Sequence, residues 1–186
     1  MSAPLHHMGT DQMTVTQLDF LWRTEAPWIY VGTGEQSRTS ALPPLFYSMA
    51  GLNVFVRRLR GWKMRDTQGL MDEFSAALQF FDGFGENWYA LEDCLESLDD
   101  WWTADAYVLV IERAEELLVG DDVGLEGLLV SLQAAGRFWS QAVTSPKAYE
   151  RMAVPFHVLL NVTDTHSEAV ERVRRVAEGA GVALRL

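Results

Sequence analysis

The chain has 186 residues, 48% hydrophobic and 11% aromatic, enough for one domain with a sizeable core or a small domain with an elaboration. Its formal net charge of −11 and sequence pI near 4.7 argue against nucleic acid, whose binding rests on Lys and Arg neutralising phosphate, and against an anionic membrane surface. A single cysteine, Cys94, leaves no intramolecular disulfide, which fits a reducing compartment. Residues 1–10 lack the basic and apolar regions of a secretory signal, and no run approaches the roughly 18 apolar residues of a membrane span, so a cytoplasmic location is expected. His6 and His7 sit in a terminal segment and are read as no metal site.

Taken in order, Trp28 to Val31 is a β-rich run between Pro27 and Gly32-Thr33-Gly34, and reads as a short strand ending in a turn. Glu35 to Ser40 is polar and loop-like. Pro43-Pro44 cannot lie inside a helix, so a helix here covers only about Leu45 to Met49. Residues 1–52 are treated as an N-terminal elaboration. Asn53 to Leu59 is a strand candidate with Val54, Val56 and Leu59 inward. Asp66 is a plausible N-cap for a helix over 67–80, where Leu70, Phe74, Ala77, Leu78 and Phe81 recur at helical spacing.

Asp82-Gly83-Phe84-Gly85 breaks the chain before a second helix over 86–98. Tyr107 to Ile111 is a wholly apolar run that suits a central strand covered on both faces. A short helix is expected over Glu112 to Val119, ended by Gly120, and a longer one over Leu125 to Val143. On the longer helix, Leu125, Leu128, Leu129, Leu132, Ala135 and Trp139 share one face. Thr144 to Val154 is a loop, and Pro155 to Val162 a further strand. Thr165 or Ser167 caps a last helix over 168–178, ended by Gly179, and Val182 to Leu186 is a candidate final strand. Strands alternating with helices imply a small parallel sheet carrying helices.

The charge is unevenly placed. Asp66 to Gly136 holds 17 of the 26 carboxylates and one basic residue, Arg113. Such a field costs self-repulsion and makes sense against a strongly cationic partner, because it speeds association and selects a charge-complementary surface. Within the second helix, Trp88, Leu91, Leu95 and Leu98 form a core stripe. Glu86, Tyr89, Asp93, Glu96 and Asp100 form a water-facing one, with Glu92 beside it. The helix dipole favours Glu86 near the N-terminus, but it does not account for Glu96, Asp99 and Asp100 at the other end. An aromatic among exposed carboxylates has the composition of an interface.

The run Phe84-Gly85-Glu86-Asn87-Trp88-Tyr89-Ala90-Leu91-Glu92-Asp93-Cys94-Leu95 resembles the signature of the barstar family of ribonuclease inhibitors. There, an aromatic residue, Gly, a variable residue and Asn lead into a helix reading Asp-Ala-Leu-x-Asp-Cys-Leu. The likeness is specific over about 12 residues and weaker from Val54 to Val162. It implies an α/β fold: a barstar-like small parallel sheet of three core strands, with a candidate fourth, flanked by helices. On this reading 53–162 is the barstar-like domain and 163–186 a C-terminal helix with the extra strand.

The resemblance also implies a function, inhibition of a basic ribonuclease or nuclease toxin in the manner of an immunity protein or antitoxin. The partner-binding residues carried over are Phe84, Gly85, Asn87, Tyr89, Glu92, Asp93 and Glu96. Asp93 would mimic a substrate phosphate, since Arg forks built for phosphate also hold a carboxylate. Gly85 would let the loop backbone approach closely, and Asn87 would cap the helix. There are departures. Tyr89 replaces the family's first helix aspartate, Gly83 stands for the first of two tyrosines, and Glu92 stands for a tryptophan. The segment from Leu98 to Ala106 is longer and carries Trp101-Trp102. These changes keep open a second reading, a barstar-like domain for a different cationic partner.

An enzyme is not expected. No His-x-x-x-His, Cys-x-x-Cys, Gly-x-Ser-x-Gly or phosphate loop occurs, and Gly32-Thr33-Gly34 lacks the rest of a dinucleotide fingerprint. Glu86 and Asp93, two helical turns or about 10 Å apart, are too distant for a retaining glycosidase pair and at the edge for an inverting one. No cofactor or metal is expected. Cys94 reads as a small buried residue, and Arg57, Arg58, Arg60, Lys63 and Arg65 as a solvated edge or a second contact surface.

Overall fold

The computed structural model describes residues 19–33, 46–49, 52–144, 150–163 and 167–185. Its six strands are β1 (Ile29–Thr33), β2 (Phe46–Met49), β3 (Leu52–Arg60), β4 (Ala106–Glu112), β5 (Phe156–Val162) and β6 (Leu184–Arg185). Its α-helices are α1 (Thr67–Leu78), α2 (Trp88–Glu96), α3 (Asp122–Trp139) and α4 (Ser167–Gly179). The strands form one sheet in the order β2-β3-β4-β5-β1-β6. Only β2 runs antiparallel to its neighbour; the other five strands are parallel.

The apolar runs decide the centre of the sheet. β4 and β5 are buried along almost their whole length, as expected of strands covered on both faces. One face, with Phe55, Leu59, Tyr107, Leu109, Ile111, Val158 and Leu160, packs against all four helices. The opposite face, with Val54, Val56, Val108, Val110 and Leu159, packs under Leu21 and Trp22 of a short 3-10 turn over Asp19–Trp22. Val54 and Val56 are therefore buried as expected, but on the other face from Leu59, and Phe55 joins Leu59 beneath the helices.

The helices follow their sequence stripes. Asp66 caps α1, its carboxylate accepting the Gly69 N–H at 2.8 Å. Leu125, Leu128, Leu129, Leu132, Ala135 and Trp139 are all fully buried on α3. That helix starts three residues before and ends four before the expected span, because Asp121 caps it through the Gly124 N–H. α2 packs on α3 through Trp88, which lies over Gly127. A Cβ on Gly127 would stand 2.8 Å from the Trp88 ring. Gly127→Ala is therefore expected to push α2 off its seat and destabilise the fold by about 1–3 kcal/mol, read as a lowered thermal midpoint. An unchanged midpoint would mean that Trp88 has room the packing does not show.

Four expectations are corrected. Phe46–Met49 is a strand, because it pairs antiparallel with β3 (Phe46 opposite Phe55), and that pairing outweighs the local helical tendency. Glu112 to Val119 is not a helix. Arg113 and Leu118 adopt left-handed backbone, which leaves only a 3-10 turn at Ala114–Glu116. Phe81 does not continue the α1 stripe. Gln79 turns left-handed and ends the helix, Phe80 takes the buried place, and Phe81 is 54% exposed. The expected second helix over 86–98 is shorter, with Leu98–Asp100 forming a separate 3-10 turn.

The sheet is also wider than three or four strands. β1 lies between β5 and β6, pairing in parallel with both. The loop from Thr144 is closed by a bridge between Val143 and Arg151. Pro146 and Thr165 fall outside the described residues, as do His6, His7 and the polar stretch from Glu35 to Ser40.

Candidate protein-interaction site

Asn87 sets where α2 begins. Its Oδ1 accepts the Ala90 N–H at 3.0 Å, and its Nδ2 donates to the Gly85 carbonyl at 2.8 Å. One side chain thus caps the helix and ties the preceding loop to it. A side chain on Gly85 would bring its Cβ to 3.0 Å from that same amide nitrogen. Asn87→Ala removes both bonds and is expected to cost about 1 kcal/mol of stability. Hydrogen exchange checks this: amides from Gly85 to Leu91 should lose protection ahead of the rest, and uniform protection would contradict the capping role.

Glu86 precedes the cap in left-handed backbone, with φ of 47°. It is therefore not part of the helical stripe. Its carboxylate accepts from Gln68 Nε2 at 2.9 Å, and the same amide donates to Asp72 at 3.1 Å. Phe84 is half-buried against the core, 4.9 Å from the Phe80 ring.

On α2, Leu91, Cys94 and Leu95 face inward while Tyr89 is 86% exposed. Asp93 is exposed one turn beyond Tyr89, and Glu92 and Glu96 are half-buried to either side. Burial, followed by Glu92 and Asp93, holds the Glu96 carboxyl above its ordinary range. Burial and then Asp93 likewise push the Cys94 thiol up, away from reactive thiolate.

Four acids of the tract are paired with arginines. Glu73 pairs with Arg60 at 2.7 Å, Glu112 with Arg58 at 2.6 Å and Glu116 with Arg65 at 2.6 Å. Asp122 pairs with Arg172 and Arg175 at 2.7 and 3.1 Å. These partners hold the Asp122 carboxyl below its ordinary range. The basic run of β3 is thus largely consumed inside the molecule; Arg57 lies over the Phe55 and Trp102 rings instead. The carboxylates of Glu92, Asp93 and Glu96 cluster on α2. Among the described residues, no donor or cation is paired with them.

Two features of this region were hidden in the sequence. One is the seam of Trp88 on Gly127, for which a glycine inside a helical pattern was the available signal. The other is an aromatic cluster of Phe80, Phe81, Phe84 and Trp101 beside the loop. Trp28 is buried and donates to the Thr24 carbonyl at 2.7 Å, while Trp102 donates to the Leu78 carbonyl. Among the described residues, no group of three His, Cys, Asp or Glu side chains is placed to hold a metal ion, and no helix is long and apolar enough to cross a membrane.

The class these features define is an α/β protein with a five-strand parallel sheet, four helices on one face, and a rigidly capped acidic helix on its surface. The chain belongs to the barstar family: it matches the family described as Barstar (barnase inhibitor) over residues 54–161, more than half its length. That description is of an inhibitor of a ribonuclease, not of an enzyme. No curated protein matches the chain.

Proposed function

We propose that this protein inhibits a basic ribonuclease by seating α2 and the loop from Phe84 to Asn87 in the nuclease's cationic active site. The observation that carries this reading is the cluster of Glu92, Asp93 and Glu96 on α2, which no donor or cation among the described residues pairs, while Glu73, Glu112, Glu116 and Asp122 elsewhere in the tract are matched by internal arginines. Asp93 takes the place of a substrate phosphate, with Glu92 and Glu96 beside it and Tyr89 supplying exposed ring surface. Phe84, Gly85 and Asn87 fix the loop so that little ordering cost remains on binding. The protein acts stoichiometrically and has no catalytic role. Its place is the cytoplasm of the cell that makes the nuclease, as an immunity protein or antitoxin, with residues 53–162 as the inhibitory domain.

A second reading keeps the surface and changes the partner, to a non-ribonuclease toxin or an intracellular basic protein. Tyr89 favours it, because a neutral ring stands where the family places a helix aspartate, and it is the most exposed large side chain on α2. Residual RNA cleavage by a panel of secreted and toxin ribonucleases, barnase included, separates the two. Stoichiometric inhibition that weakens with salt supports the ribonuclease reading. No inhibition across the panel, with capture of a basic non-nuclease, supports the second.

A further inference from the structure

Among the described residues, four Phe–Trp ring pairs are in contact, and two of them already hold a guanidinium. Phe55 and Trp102, 5.3 Å apart, carry Arg57 at 4.0 and 4.7 Å from their ring centres. Phe138 and Trp139, 5.4 Å apart, carry Arg151 at 4.8 and 4.3 Å. The other two share Trp101, and of these the Phe81–Trp101 pair is stacked almost parallel, 6.4 Å apart at 6°. Among the described residues, no cation lies over it. Phe81 is 54% exposed, and the buried Phe80 ring lies 6.5 Å from that of Trp101. Asp82 follows Phe81 and Asp100 precedes Trp101 in the chain, and both are exposed.

We propose that the stacked Phe81–Trp101 pair, with the exposed Asp82 and Asp100 next to it in the chain, is a receptor for an arginine side chain of the protein partner. This rests on the reading of a basic protein partner and adds a second point of attachment to it. The site is continuous with the candidate surface, because Phe80 also packs on Phe84 of the α2 loop. The arginine it takes lies outside the cleft that Asp93 enters. Arginine fits better than lysine: a planar guanidinium stacks on a ring while its N–H fork reaches a flanking carboxylate. The departure of this chain from its family thus places an aromatic platform next to the acidic helix.

The test needs no nuclease in its first arm. The full chain, 15N-labelled, is titrated with N-acetyl-arginine amide and, separately, with N-acetyl-citrulline amide, which has the shape without the charge. The Trp101 indole N–H signal is expected to move with arginine and not with citrulline. Phe81→Ala should abolish the response and Asp93→Asn should leave it intact. Equal responses to arginine and citrulline, or a response that survives Phe81→Ala, overturn the proposal.

In the second arm, affinity for an inhibited ribonuclease is measured. Phe81→Ala, at an exposed position the fold tolerates, is expected to cost about tenfold, and Trp101→Leu a similar factor. Either loss should add to that of Asp93→Ala. Unchanged affinity in both aromatic variants counts against the receptor. Absence of inhibition in the unmodified protein counts instead against the reading of function, and the titration still decides the receptor.

Discussion

Asp93→Ala is expected to weaken binding to the target ribonuclease by about 2–5 kcal/mol, most of it as faster dissociation. The size follows from what is removed. Asp93 is exposed and unpaired in the free protein, so its hydrogen-bonding capacity is free for a partner. Placed among arginines in a site that excludes water, a carboxylate forms charge-assisted bonds, and its loss leaves those cations buried and unmatched. Asp93→Asn keeps the shape, removes the charge and should lose much of the same energy.

Neither substitution should lower the thermal midpoint. The side chain is exposed, and removing it relieves repulsion on Glu96. A stability loss matching the affinity loss would mean that the variant harms the fold rather than the contact. Wild-type affinity in Asp93→Ala would move the site off α2 altogether.

The second large effect is on stability against pH, through His157. This side chain is fully buried on β5, edge-on to Tyr30, with Nε2 2.8 Å from the Arg23 carbonyl. A carbonyl only accepts, so Nε2 carries the proton and donates. Burial pulls the imidazole pKa from 6.5 down to about 4, opposed weakly by that hydrogen bond. The folded state therefore resists a proton that the unfolded chain takes up readily. Stability from this group is fully present above about pH 6.5 and is lost as pH falls towards 4, by about 3 kcal/mol.

Burial raises the carboxyls of Glu96 and Asp99, and they act in the opposite sense, because the folded state binds their protons first. The effect of His157 is isolated by difference. Urea unfolding of the wild type should lose stability between pH 6.5 and 4 relative to His157→Gln, whose amide can still donate to Arg23 but does not titrate. Parallel profiles for the two proteins would remove His157 as the cause.

What the residues disclosed in advance was mostly local. The caps at Asp66 and Asn87 are bonds across three residues, so a short polar side chain before an apolar helix pattern is enough to find them. The α3 stripe and the β4 and β5 runs are likewise readable, since burial selects an unbroken apolar face. The errors lie where a distant partner or an unusual backbone angle decides. Phe46–Met49 is a strand only because β3 lies beside it. Gln79 ends α1 in left-handed backbone without being glycine, so nothing marked the turn that exposes Phe81.

The candidate surface was legible as composition and illegible as pairing. Arg58 and Glu112, or Arg172 and Asp122, meet across about 50 residues of chain. Counting carboxylates along the sequence could not show that those of α2 are left without a match.

β1 has a consequence for how the chain is made. It is synthesised early, yet its two neighbours are β5 and β6, so Ile29 waits for Val158 and Leu184. A strand that pairs only with strands much later in the sequence closes its loop late and pays a large entropy cost before any contact rewards it. A ribosome-bound chain ending anywhere before β5 carries Ile29, Tyr30 and Val31 with no native strand beside them. Folding of this sheet is therefore expected to finish only once β5 and β6 have been made, and slowly for its size, with the apolar strand β1 as the segment most exposed to wrong pairing in the interval.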